Sequence, residues 1–127
     1  MTDLQFRVCF EEGTEPSFNN AYWDNHEPGI YKSRATGVPL FSSKDKYDSG
    51  TGWPSFSRPI DGAPVLERID NRFGISRTEV VCKVDWVHLG HVFNDGPDGR
   101  RYCMNSAALD FIRVDQLTEE EKKRFGF

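Results

Sequence analysis

The sequence predicts a mainly β chain with short helical pieces near its two ends. Of 127 residues, Phe occurs 10 times and Val nine times, against six Leu and five Ala. Strand-favouring side chains thus outnumber strong apolar helix formers. Gly and Pro fill 18 positions spread along the whole chain and divide it into short pieces. Alternating apolar residues recur between turn sequences, as half-buried strands require. The length suits one domain spanning residues 1–127.

In chain order, residues 1–29 read as mostly irregular, with turn-rich stretches at Glu12–Pro16 and Asn25–Gly29. Ile30–Ser33 and Val38–Phe41 read as short strands around Gly37. Residues 42–64, rich in Ser, Asp, Gly and Pro, read as one long loop, which in a compact domain is either functional or a wrong assignment. Val65–Ile69 and Phe73–Cys82 read as strands. Val84–Phe93 and Arg100–Ser106 form a hairpin about Asn94-Asp95-Gly96-Pro97-Asp98-Gly99. Leu109–Val114 is a last strand. Thr118 and Glu121 have capping-box spacing and open a helix that ends near Phe125-Gly126.

The net charge is −4, which gives no electrostatic case for nucleic acid or an anionic membrane as partner. No apolar run is long enough to span a bilayer, and the start lacks the pattern of a signal peptide. The three cysteines, Cys9, Cys82 and Cys103, are too few and too odd for a disulfide framework. A monomer in the reducing cytoplasm, with free thiols, is the expectation.

The hairpin concentrates the chemistry. Residues two apart on a strand share a face, so Arg101, Cys103 and Asn105 point one way. An ordinary thiol is only about 3% thiolate at pH 7, and a neighbouring guanidinium favours the thiolate, the attacking form. The facing strand carries His88 and His91. If paired positions sum to 194, His91 lies opposite Cys103; if to 193, Gly90 does, and His88 faces Asn105. Three residues apart, the two histidines belong on opposite faces of a regular strand, unless a bulge at Gly90 gathers them.

Seven stretches give a more specific signal: Gly13-Thr14-Glu15-Pro16, Tyr22-Trp23-Asp24-Asn25, Pro39-Leu40-Phe41-Ser42-Ser43, Ser49-Gly50-Thr51-Gly52-Trp53-Pro54-Ser55-Phe56, Arg77-Thr78-Glu79-Val80, His88 to Pro97, and Arg101-Tyr102-Cys103-Met104-Asn105-Ser106. In this order they resemble the type B methionine sulfoxide reductases, over about residues 6–114. The resemblance implies two antiparallel sheets in a tent-like arrangement. It implies reduction of the R epimer of methionine sulfoxide in proteins, through a cysteine sulfenic acid, with thioredoxin or another thiol reductant as partner. It puts the nucleophile on Cys103, with His91, His88 and Asn105 in support. Trp53, Phe93 and Arg101 fall at the substrate.

Two departures from the family pattern stand out. The second cysteine that many members carry in the Trp53 loop is Thr51 here. The sulfenic acid is then resolved by Cys9, by Cys82 if the fold brings it near, or by an external thiol. Many members also hold a structural zinc on two C-x-x-C pairs. The matching positions are Ser33, Thr36, Cys82 and Asp85, so three of four thiolates are gone and no zinc is expected. A metal-dependent β-barrel enzyme using His88, His91 and Glu79 is the rival reading. A catalytically silent domain that recognises oxidised methionine is a third.

Overall fold

The computed structural model describes residues 1–71 and 74–127. Its strands form two antiparallel sheets. The smaller has the order β2 (Pro39–Ser42), β1 (Gly29–Ser33), β9 (Leu109–Arg113). The larger has six strands in the order β3 (Lys46–Tyr47), β4 (Ser55–Phe56), β8 (Arg101–Met104), β7 (His88–Phe93), β6 (Arg77–Cys82), β5 (Val65–Asp70). Helix α1 (Asp3–Phe10) and helix α2 (Glu119–Arg124) stand near the ends. The mainly β expectation therefore holds, as do the strands around Gly37, the central hairpin and the C-terminal helix. No helix among the described residues is long and apolar enough to cross a membrane.

Three expectations need correction. The N-terminal segment is more ordered than its turn-rich composition suggests. Thr2 Oγ1 accepts from the Gln5 amide and Gln5 Oε1 accepts from the Thr2 amide, a complete capping box that opens α1. Residues 42–64 are not one long loop, because β3 and β4 pair within them and β4 continues onto β8. Val84–Val87 is a turn rather than strand, closed by Trp86 N–H to Cys82 C=O and Cys82 N–H to Val87 C=O. Of the strand expected over Phe73–Cys82, residues 77–82 form β6, and Phe73 lies outside the described residues.

The core lies between the sheets. Phe41 and Phe56 stack at 4.6 Å, Tyr31 meets Phe56 edge-on at 5.1 Å, and Phe111 covers Tyr31 at 4.8 Å. Such aromatic pairs add cohesion beyond the area they bury. Val8 and Cys9 of α1 are buried in the same cluster.

A polar clasp joins the two sheets at one end. Asp85, in the β6–β7 turn, accepts from Ser33 Oγ of β1 at 2.5 Å and from Thr36 Oγ1 at 2.8 Å. Its other oxygen accepts the Val87 amide at 3.1 Å. Burial alone would raise the Asp85 carboxyl, but these donors, with Cys82, outweigh it and hold it below the usual aspartate range.

A carboxyl held low stabilises the fold above the ordinary aspartate range, and that contribution fades as pH falls through the lowered value. Asp85→Ala is therefore expected to cost about 1–3 kcal/mol at pH 7, read as a lower urea midpoint. Between pH 5 and 2 the native chain should lose more of its midpoint than Asp85→Asn does. Equal midpoints for all three chains would refute a stabilising clasp.

Candidate active site

The hairpin register resolves to the sum of 194. His91 lies opposite Cys103, Gly90 opposite Met104 and Phe93 opposite Arg101. On its other side Cys103 faces Ser55 of β4, which suspends the thiol between two strands. Gly90 makes the close approach possible, because a β-carbon there would lie 2.1 Å from the Cys103 carbonyl oxygen. Between β6 and β7 the register slips by one: Val80 pairs with Gly90 but Val81 with His88. This bulge undoes the three-residue spacing of the histidines. Their rings meet edge-on at 5.5 Å.

Cys103, His91, Trp53, Asn105 and Phe93 line one small cavity of ≈ 90 Å³, together with Thr14, Arg77, Gly90 and Met104. Larger cavities of ≈ 310 and ≈ 410 Å³ beside α2 contain no thiol, histidine or tryptophan. Burial pushes the Cys103 thiol above its usual range, although Thr51, Arg101 and Ser55 pull the other way. Thr51 Oγ1 lies 4.0 Å from the sulfur. Arg101 alone therefore does not produce a standing thiolate. Its guanidinium is held by Asp95 at 2.9 and 3.3 Å and lies over the Phe93 ring at 4.4 Å.

The two histidines have different surroundings. His91 is half-buried at the cavity, and its Nε2 lies 2.9 Å from Asp70 Oδ2. His88 is fully buried and does not line the cavity. Its Nδ1 lies 2.7 Å from Glu79 Oε2, and Arg68 Nε donates to the other oxygen at 2.7 Å. Burial would raise the Glu79 carboxyl, but Arg68 and His88 outweigh it and hold it below the usual range. Glu79 and His88 thus engage each other directly. Among the described residues no cluster of three His, Cys, Asp or Glu is arranged to hold one, which leaves the metal-dependent rival without a ligand set.

Glu15 ties the site together. Its buried carboxylate accepts the amides of Ser106 and Ala107 at 2.5 and 2.7 Å, at the turn following the thiol strand. Its carbonyl accepts Trp53 Nε1 at 3.0 Å, which fixes the indole. Its own amide donates to Asn105 Oδ1 at 3.3 Å, while Asn105 Nδ2 donates to the Leu89 carbonyl at 3.3 Å. Asn105 thus faces the cavity with its amide group already engaged by backbone.

Sequence reasoning did not single out Glu15, Asp70 or Arg77 as site residues. Glu15 sat in a quoted motif, but nothing local marks a carboxylate as buried. Arg77 lines the cavity 3.5 Å from Asp70. Cys9 is placed elsewhere: it lies in α1, 1% exposed, with its sulfur 3.9 Å from the Ala107 carbonyl oxygen. The irregular segment expected to carry it is a helix here. Cys82 is fully buried at the clasp. The four positions that match the zinc ligands of relatives supply one thiol, one carboxylate and two hydroxyls, and both hydroxyls donate to the carboxylate. That donor set does not fit a structural zinc.

Burial raises all three thiols, Cys9 to about 11, but only Cys103 opens to a cavity. Iodoacetamide is expected to modify Cys103 first, at a rate that climbs roughly tenfold per pH unit through neutrality with no plateau below pH 8.5. Cys9 and Cys82 should react only in denaturant. Peptide mapping reads this directly; early labelling of Cys9 would contradict the packing of α1.

Comparison with known proteins follows the same lines as the geometry. The family model of the SelR domain matches residues 1–113. The chain is 51% identical over 122 residues to the peptide methionine sulfoxide reductase MsrA/MsrB of Vibrio cholerae, covering 94% of this chain and 32% of that protein. It is 48% identical over 122 residues to the peptide methionine sulfoxide reductase MsrB of Staphylococcus haemolyticus, covering 94% of this chain and 86% of that protein. The chain thus spans about a third of the first relative and most of the second. With a thiol, a histidine and an indole converging on one pocket, the chain belongs to the SelR family, the enzymes that are the type B methionine sulfoxide reductases.

Proposed function

We propose that this chain reduces the R epimer of methionine sulfoxide in proteins, with Cys103 as the nucleophile. The observation that carries the reading is the single cavity shared by Cys103, His91, Trp53 and Asn105. At ≈ 90 Å³ it suits the end of a side chain rather than a whole ligand. That favours a residue presented by a larger chain.

The Cys103 thiolate attacks the sulfoxide sulfur while His91 supplies a proton to the oxygen. The oxygen passes to the cysteine sulfur, two electrons pass to the substrate sulfur, and methionine leaves with Cys103 as a sulfenic acid. Trp53 shapes the apolar wall against the substrate methyl group, Phe93 lines the same space, and Arg101 does not line it but lies over the Phe93 ring. Asp70 orients His91, and the His88 ring, held by Glu79, packs edge-on against it. Since the resting thiol is raised by burial, the thiolate forms in step with substrate binding, when the proton has an acceptor. This reading favours an external thiol over Cys9 or Cys82 as the reductant: two thiol equivalents return Cys103 to the thiol and release water and a disulfide. Thioredoxin is the natural class of donor. A zinc-free monomer acting in the cytoplasm completes the proposal.

Turnover of R and S methionine sulfoxide peptides with dithiothreitol tests this. The R epimer should be consumed and the S epimer refused, and Cys103→Ser should lose roughly three orders of magnitude or more in rate. Preference for the S epimer, or activity surviving Cys103→Ser, would sink the proposal. One turnover without reductant should leave Cys103 one oxygen heavier; a Cys9–Cys103 or Cys82–Cys103 disulfide would assign the resolving step to the chain itself. Metal analysis should find less than one zinc in ten chains, and stoichiometric zinc would overturn that part.

A further inference from the structure

A second cavity of ≈ 220 Å³ lies beside the first, and Trp53 lines both. Its walls carry two further aromatic rings, Phe18 and Trp23, which meet edge-on at 5.0 Å. Two carboxylates, Asp24 and Asp48, border the same space. Resting on the reductase reading, we propose that this cavity is a peptide subsite that receives a lysine or arginine side chain flanking the oxidised methionine.

The wall is built, not incidental. Phe18 holds a left-handed backbone with φ 60°, which a β-carbon disfavours. Its ring is nevertheless 55% exposed. The segment is pinned in that state by three bonds to the Trp53 loop. The Phe18 amide and Asn20 Nδ2 donate to the Gly52 carbonyl at 2.9 and 2.8 Å, and Ser17 Oγ donates to Thr51 C=O at 2.5 Å. Gly52, at φ 86°, is required there, because a β-carbon would lie 2.2 Å from Ser17 Oγ. The loop that delivers Trp53 to the thiol therefore also fixes the aromatic wall next door.

Charge and ring chemistry choose the occupant. Tryptophan and phenylalanine faces attract cations, Trp best of all. Asp24 and Asp48 face one ammonium, Lys46, whose Nζ donates to the Trp23 carbonyl at 3.2 Å. His26 Nε2 sits 3.1 Å from Asp48, so an incoming cation replaces that contact. A long cationic side chain lays its methylenes on the rings and keeps its charge at the rim. Successive residues of an extended peptide rise about 3.3 Å each, so a neighbour one or two positions away reaches an adjoining cavity.

The test uses the full chain with peptides in which the R methionine sulfoxide is flanked on both sides by two lysines, two alanines, two leucines or two glutamates. With dithiothreitol as reductant, kcat/KM for the lysine peptide should exceed that for the glutamate peptide by about fivefold to twentyfold at low salt. The ratio should shrink in 0.5 M salt. In the double variant Asp24→Asn, Asp48→Asn it should fall below twofold, and Phe18→Ala should reduce it as well. Each variant is its own control, since the readout is a ratio. A native ratio near one, a ratio that survives the double variant, or a leucine peptide that outruns lysine overturns the subsite. If no peptide is turned over, the reductase reading fails. The subsite is then decided by polarisation titration of the same labelled peptides onto Cys103→Ser. Tighter binding of lysine than glutamate, abolished in the double variant background, supports it, and equal binding overturns it.

Discussion

The Glu15 carboxylate is the constraint on which the site depends. It lies almost fully buried, and two backbone amides at the turn after the thiol strand satisfy it. Burying a carboxylate is costly unless such donors meet it. Once made, the arrangement fixes three things together. The residue's carbonyl holds the Trp53 indole, its amide holds Asn105, and its carboxylate closes the turn beyond Cys103. A segment distant in sequence thereby sets the spacing between the thiol and the wall of its pocket.

Around that fixed frame, acidic groups divide the two histidines between tasks. Asp70 approaches His91 at the cavity, while Glu79 and Arg68 hold His88 behind it. The β6–β7 bulge is what makes the division possible, because a regular ladder would turn one ring away. One extra residue in one strand thus converts a three-residue spacing into a ring pair with an exposed front and a buried back.

The strands were legible because alternation and turn residues are local properties, as for β5, β7 and β9. The capped C-terminal helix was legible for the same reason. Thr2 and Gln5 carried the matching signal for α1, but the surrounding turn residues hid it. The hairpin register was not legible, since sums of 193 and 194 differ only in which face the partner sheet covers. The set gathered at the cavity, Cys103, His91, Trp53 and Asn105, was readable from motifs in order. The carboxylates that organise it were not. Glu79 was legible only as a metal-ligand candidate, and a charge in a loop or at a strand end, as Glu15 and Asp70 are, reads as a solvent face until the tertiary arrangement brings donors to it. Burial of Cys9 was not legible either, because a thiol near a terminus looks accessible until a helix covers it.

The clasp at Asp85 has a consequence for durability. Its bonds from Ser33, Thr36 and Val87 run from hydroxyls and an amide to a carboxylate, groups far less readily oxidised than thiolates, and the one thiol among its donors, Cys82, is fully buried. Thiolate clusters, by contrast, are among the first targets of such oxidants. If the substrate is the proposed one, which arises by oxidation, the protein links its two sheets mainly through bonds that survive the conditions creating that substrate. Its vulnerability moves from oxidant to acid.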